Sequence, residues 1–277
     1  MAAFLNKLKS ISCLLLILFC LPSCIPFPFH SMLSVDGKGY DFTRPTTVYD
    51  PAKRINQSGL PAGFVLVELF TSEGCSSCPP ADEAVGKINT RDQPVYILSF
   101  HVDYWDYLGW KDPYSNAVYS DRQREYGNLF RLTSIYTPQI IVNGTTEFSG
   151  GDESRLQESI GTSLKRKTET VLRLSLERSA GKIAIHCNAG AGDGIKLNLA
   201  LVQLRATDYI RRGENKGRTL HHFNIVRDFQ SIANGKPGDT YFENLPAEGN
   251  PADFELVAFL QKTVSGEIIS ATRAAIP

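Results

Sequence analysis

The chain has 277 residues, 29 basic against 29 acidic, with 42% hydrophobic and 10% aromatic content. That is enough apolar material for one large core or two ordinary ones, and charged residues at only 21% exclude a wholly disordered chain. A net charge of zero removes the basic footprint of a dedicated nucleic-acid binder, so nucleic acid is not expected as a partner.

Lys7 and Lys9 precede an apolar run from Ile11 to Leu21, too short for a permanent membrane helix. Residues 1–24 therefore read as a secretory signal peptide and predict an exported protein, in the periplasm, in the cell envelope or outside the cell. Leu21-Pro22-Ser23-Cys24 resembles a bacterial lipobox. Two outcomes stay open there: lipidation of Cys24 with attachment to a membrane, or ordinary cleavage. Residues 25–63, with several prolines and glycines and little periodicity, read as a linker or extended arm.

From Phe64 to Phe70 a β-rich run predicts a buried strand, stopped by Thr71-Ser72-Glu73-Gly74. Pro79 and Pro80 suit only the first turn of a helix, and Asp82 and Glu83 favour the positive end of its dipole. A second buried strand, Val95 to Phe100, completes a βαβ unit with a parallel pair. An aromatic and acidic loop from His101 to Trp110 follows, then a helix over about 115–129. Gln139 to Val142, the turn signal Asn143-Gly144 and Thr145 to Phe148 predict a hairpin, and Asp152 is placed to cap a closing helix over 153–167. After Lys167 short β-rich runs at 171–176, 182–187, 195–204, 222–226 and 254–261 alternate with turn residues. The expected architecture is an α/β domain over 64–168 followed by a smaller all-β, sandwich-like domain over 169–277.

Once the leader is set aside, three of the six cysteines remain: the pair Cys75 and Cys78, and the distant Cys187. A framework of structural disulfides is not expected from that count. A CxxC after a buried strand and at a helix start points to thiol–disulfide exchange. Free amide hydrogens and the helix dipole stabilise a thiolate there, so Cys75 is assigned as the nucleophile and Cys78 as the resolving thiol. Structural zinc would need about four ligands. The chain has no second CxxC, and Cys187, His186, His221 and His222 fall in the expected second domain. Three other readings stay open: a permanent structural bridge, a non-enzymatic module holding copper or another soft metal through Cys75, Cys78 and His101, and a working all-β domain.

Glu68 interrupts the first strand. If it points inward it is a candidate proton relay to Cys78; the alternative is a solvent-facing carboxylate. His101 and Asp103 stand at a strand's C-terminal edge, where ligands gather. They are candidates for tuning a thiolate or binding substrate or metal, against a satisfied loop histidine and a turn cap. Trp105 with its aromatic neighbours is either a substrate rim or core under a loop. The basic stretch of Arg205, Arg211, Arg212, Lys216 and Arg218 around Gly213-Glu214-Asn215 reads as a solvated hairpin, and Cys187 as a buried inert thiol.

The segment Val67 to Asp82, together with Ser99 to Trp105, Tyr136-Thr137-Pro138-Gln139, Gly213-Glu214-Asn215 and Val226-Arg227, resembles the secreted family called domain of unknown function 1223, within the thioredoxin-like superfamily. The resemblance implies a thioredoxin-like sheet in which Pro138 takes the place of a cis-proline facing the cysteine pair; the residues alone leave a cis turn and a plain strand-edge proline both open. Thr137 would then offer its backbone to a thiol or disulfide substrate, protein or small molecule. No cofactor beyond the redox-active disulfide is implied.

Overall fold

The computed structural model describes residues 63–179, 182–187, 192–233, 240–242 and 250–277. The expected leader over 1–24, Cys24 and nearly all of the arm over 25–63 lie outside the described residues. Among the described residues no helix is long and apolar enough to cross a membrane.

The fold is mixed α/β, with one large sheet and few helices. Strand β1 (Val65–Thr71) is buried at every position and pairs in parallel with β2 (Val95–His101), Val65 opposite Val95 and Thr71 opposite His101. Between them runs the short helix α1 (Pro79–Gly86), with prolines at its first two positions. Helix α2 (Ala117–Leu129) is capped by Asn116, whose side chain accepts from the Val118 N–H. β3 (Gln139–Val142) and β4 (Thr146–Ser149) form the expected hairpin, and β3 pairs antiparallel with β1. Asp152 caps α3 (Glu153–Leu164).

β1 is apolar on both sides because both sides are covered. Val65, Val67 and Leu69 pack with Ala81 and Val85 of α1 and Leu156 and Ile160 of α3. Leu66 and Phe70 pack on the opposite face with Tyr119 and Tyr126 of α2. Side chains alternate along a strand, so the parity of a residue in β1 or β2 decides which helix it meets.

The remaining strands are β5 (Leu174–Ser179), β6 (Lys182–Cys187), β7 (Ile195–Tyr209), β8 (Thr219–Ile232), β9 (Thr240–Phe242), β10 (Phe254–Lys262) and β11 (Ile268–Ala275). The expected boundary at 168/169 does not divide the sheet. β7 and β8 make a long antiparallel hairpin, and β8 docks in parallel beside β2, Ile225 opposite Ser99. The Ser99 hydroxyl donates to the Phe223 carbonyl across that seam at 2.7 Å. The result is one eight-stranded sheet in the order β11-β10-β7-β8-β2-β1-β3-β4. β5, β6 and β9 form a second, three-stranded sheet, and Ile183 and Ile185 pack with Leu197, Leu199 and Leu256 of the large one.

Candidate functional site

Cys75 and Cys78 are joined by a disulfide, with Cα atoms 5.4 Å apart. They sit in a turn between β1 and α1 in which the Cys75 N–H donates to the Ser72 carbonyl and the Cys78 N–H to the Cys75 carbonyl. Cys78, not Cys75, is the N-cap of α1. The expected nucleophile therefore stands three residues before the N-cap, and the two prolines that open the helix carry no amide hydrogen to offer its sulfur. Ser76 and Ser77 are exposed, whereas Cys75 and Cys78 are only 1% and 0% exposed. The polar neighbour of the Cys75 sulfur is the Ser77 hydroxyl, at 3.3 Å.

The tip of the β7–β8 hairpin holds this turn from above. Buried Asn215 donates its side-chain amide to the carbonyls of Glu73 (2.8 Å) and Cys75 (3.0 Å), and Glu214 accepts from the Ser76 N–H at 3.2 Å. Gly213-Glu214-Asn215, read from sequence only as part of a resemblance, is thus the segment that fixes the cysteine loop. Gly213 adopts φ +76°, which glycine tolerates without a Cβ clash.

Thr137–Pro138 is a cis peptide. Pro138 approaches α1 across Gly150, where an added Cβ would lie 2.7 Å from the Pro138 Cβ and 3.0 Å from the Ala81 Cβ. Trp105 packs against Gly74 and donates its indole N–H to the Thr137 hydroxyl at 2.8 Å. The cysteine turn, Trp105, Thr137 and Pro138 are therefore neighbours.

Glu68 is not. It is even-numbered in β1 with Leu66 and Phe70, so it points to the α2 face, away from α1 and Cys78. There it pairs with Arg122 at 2.5 Å and accepts from the Tyr126 hydroxyl. The relay role expected for Glu68 is excluded by that orientation. Asp103 also stands apart from the cysteines: its carboxylate and backbone N–H both bond the Ser120 hydroxyl, tying the 3-10 turn Asp103–Leu108 to α2.

His101 belongs to the α1 face, but it does not join the cysteines. Its Nδ1 lies 2.7 Å from Asp112, and among the described residues it groups with Asp82 and His222. The ligand set Cys75, Cys78 and His101 is not assembled. One ligand atom from each of Asp82, His101 and His222 lies within 4.8 Å of the other two, and all three side chains are buried. Asp82 accepts from the Thr71 hydroxyl at 2.8 Å, and His222 Nε2 lies 3.0 Å from Glu73. Burial pushes the Asp82 carboxyl up, against the pull of His222 and His101. Burial alone would lower the His101 pKa, but Asp112, Asp82 and Glu73 outweigh it and the ring is raised. Burial likewise opposes ionisation of Asp112, yet His101 and two backbone N–H donors leave that carboxyl lowered.

A cleft of about 200 Å³ opens beside this cluster, lined by Asp82 and His222 with Pro79, Glu83, Arg218 and His221. A larger cleft of about 430 Å³, between α2 and the β10–β11 turn, holds none of these groups. Sequence reading missed Asp82, Glu73 and Asp112 as site residues and set His222 in another domain. The docking of β8 against β2 brings His222 in.

Residues 66–261 match the model of the family described as Protein of unknown function (DUF1223). A crystal structure of a protein from Agrobacterium tumefaciens is similar at 30% identity and TM-score 0.55, over 78% of this chain and 96% of that one. HBP35 of Porphyromonas gingivalis is similar in fold, at 15% identity and TM-score 0.50, over 78% of this chain and 76% of its own. No curated protein matches.

Proposed function

Taking as premise that the chain belongs to the DUF1223 family, we propose that it is an exported thioredoxin-like thiol–disulfide oxidoreductase. The observation that carries the reading is the Cys75–Cys78 disulfide in a turn flanked by Trp105, Thr137 and cis-Pro138. The run β1-α1-β2-α2-β3-β4-α3 with sheet order β2-β1-β3-β4 supports the thioredoxin-like part. The leader-like residues 7–24 support export.

In the reduced protein the Cys75 thiolate attacks one sulfur of a substrate disulfide and expels the other as a thiolate, which takes up a proton. Cys78, giving up its proton, then attacks Cys75 Sγ in the mixed disulfide, restores the intramolecular bond and releases the second substrate thiol. Two electrons pass from the protein to the substrate; run backwards, the same steps oxidise a dithiol. Both cysteines are buried, so the turn that Glu214 and Asn215 hold by its backbone has to open before a substrate reaches Cys75.

That coverage favours a second reading, a permanently oxidised structural bridge. Insulin reduction and thiol exchange with a fluorescent disulfide peptide separate the two. Turnover by the wild type that is lost in Cys75→Ser supports the oxidoreductase, and a wild type inert towards both substrates contradicts it.

A further inference from the structure

We propose that Asp82, His101 and His222 form a binding site for one divalent first-row transition-metal ion, of which zinc is the representative. The proposal does not rest on cysteine chemistry. Asp82 Oδ1, His101 Nε2 and His222 Nδ1 are buried and have no hydrogen-bond partner. Their partnered atoms define what the free ones carry. The Asp112 carboxylate also accepts from the Glu73 N–H, so it acts as an acceptor and His101 Nδ1 holds the proton towards it. Glu73 accepts from the Trp110 indole at 2.6 Å and faces His222 Nε2, which holds its proton in turn. Thr71 donates to Asp82 Oδ2.

With Asp82 ionised and each imidazole neutral and protonated on its carboxylate-facing nitrogen, the state a metal ion selects, Asp82 Oδ1, His101 Nε2 and His222 Nδ1 each offer an electron pair within one buried cluster. A single water has two hydrogens to offer, so it leaves one acceptor unmet; a cation meets all three. Two imidazoles and a carboxylate form a borderline-soft donor set suited to zinc and its neighbours. Each imidazole is backed by a carboxylate on its other nitrogen, the arrangement that orients metal-binding histidines. Even at the full 4.8 Å separation, the centre of the triangle lies about 2.8 Å from each atom, so contraction of about 0.7 Å reaches ordinary zinc–ligand lengths. The buried carboxylates of Asp82, Asp112 and Glu73 supply the compensating charge. The cleft lined by Asp82 and His222 brings solvent to the edge of the cluster. The overlapping group of Glu73, Asp208 and His222 does not compete. Its Glu73 and Asp208 carboxylates are engaged by Trp110 and Tyr114, and the His222 atom facing Glu73 carries a proton.

The test is titration of chelator-stripped full chain, disulfide intact, with zinc by calorimetry and with cobalt(II) by visible absorption. The expected result is one ion per chain, with cobalt d–d bands. Asp82→Asn and His222→Gln should each weaken binding at least 100-fold, Asp112→Asn should weaken it about 10- to 100-fold, and Cys75→Ser/Cys78→Ser should retain the stoichiometry. Circular dichroism identifies a variant that fails to fold, and the wild-type titration still decides the matter. Wild type that takes up no ion, or binding unchanged in folded Asp82→Asn, overturns the proposal. Loss of binding only in the cysteine double variant overturns it too, moving the metal to the thiols.

Discussion

Strands β1 and β2 bury polar groups on both faces, and the two faces treat them differently. On the α2 face Glu68 is met by Arg122 and Tyr126, and Gln261 donates to the Tyr126 hydroxyl at 2.9 Å. The Arg122 guanidinium also lies over the rings of Phe229, Tyr126, Phe259 and Phe100, at 4.8–5.6 Å from their centroids. Among the described residues, Asn198 Oδ1 is the buried side-chain atom bordering this network that lacks a partner. On the α1 face Asp82, His101 and His222 are buried as well, yet each leaves one polar atom unpaired. Buried polar groups cost free energy unless bonded. A network completed by its own chain holds the fold, and one left incomplete is arranged for something the chain does not contain.

The comparison breaks most visibly at Glu68. Glu68→Ala strands the Arg122 charge in the core and should cost about 3–5 kcal/mol in urea denaturation, with the reactivity of the Cys75–Cys78 disulfide in the folded protein unchanged. A loss of exchange activity without loss of stability would return Glu68 to the chemistry. Next in size, Asn215→Ala removes two hydrogen bonds to buried carbonyls, costing about 1–2 kcal/mol, and should speed reduction of the disulfide by dithiothreitol several-fold. An unchanged rate would mean that the hairpin tip does not guard the sulfurs.

Asp82→Asn sharpens the contrast from the other side. The amide keeps an acceptor for Thr71 and offers hydrogens to the two imidazoles, so the metal-free variant should stay within about 1 kcal/mol of wild type or exceed it. Destabilisation on the Glu68 scale would show that the α1 face is a structural network after all. The smallest effect concerns Cys187, whose thiol burial pushes up to about 11. Its alkylation in the folded protein, followed by peptide mass spectrometry, should be slow at pH 8 and rise about tenfold per pH unit to pH 10. A plateau near pH 9 would mean an ordinary exposed thiol.

Much of the fold was readable from local pattern. Strand, helix, strand and the Asn143-Gly144 hairpin lie close in sequence, and their turns carry specific residues. The cysteine pair was readable for the same reason. Glu68 was misplaced because β1 is apolar on both faces, so its composition does not reveal which parity meets α1. Ala81 and Val85 packing with Val65, Val67 and Leu69 decides that, and it is a tertiary fact. The imidazole cluster was hidden because β8 meets β2 through a narrow parallel seam between distant segments. Short turn-rich strands look alike whether they close a domain of their own or extend an existing sheet. Gly213-Glu214-Asn215 carried the one local signal, a glycine-bearing polar tip between two long strands.

The reduction potential of the Cys75–Cys78 pair, measured by equilibration with glutathione and dithiothreitol buffers and read by thiol trapping, tests the central claim most directly. A working exchange site predicts a value above about −300 mV, in the range of catalytic disulfides. A value well below that would make the pair a fixed bridge and contradict the oxidoreductase reading.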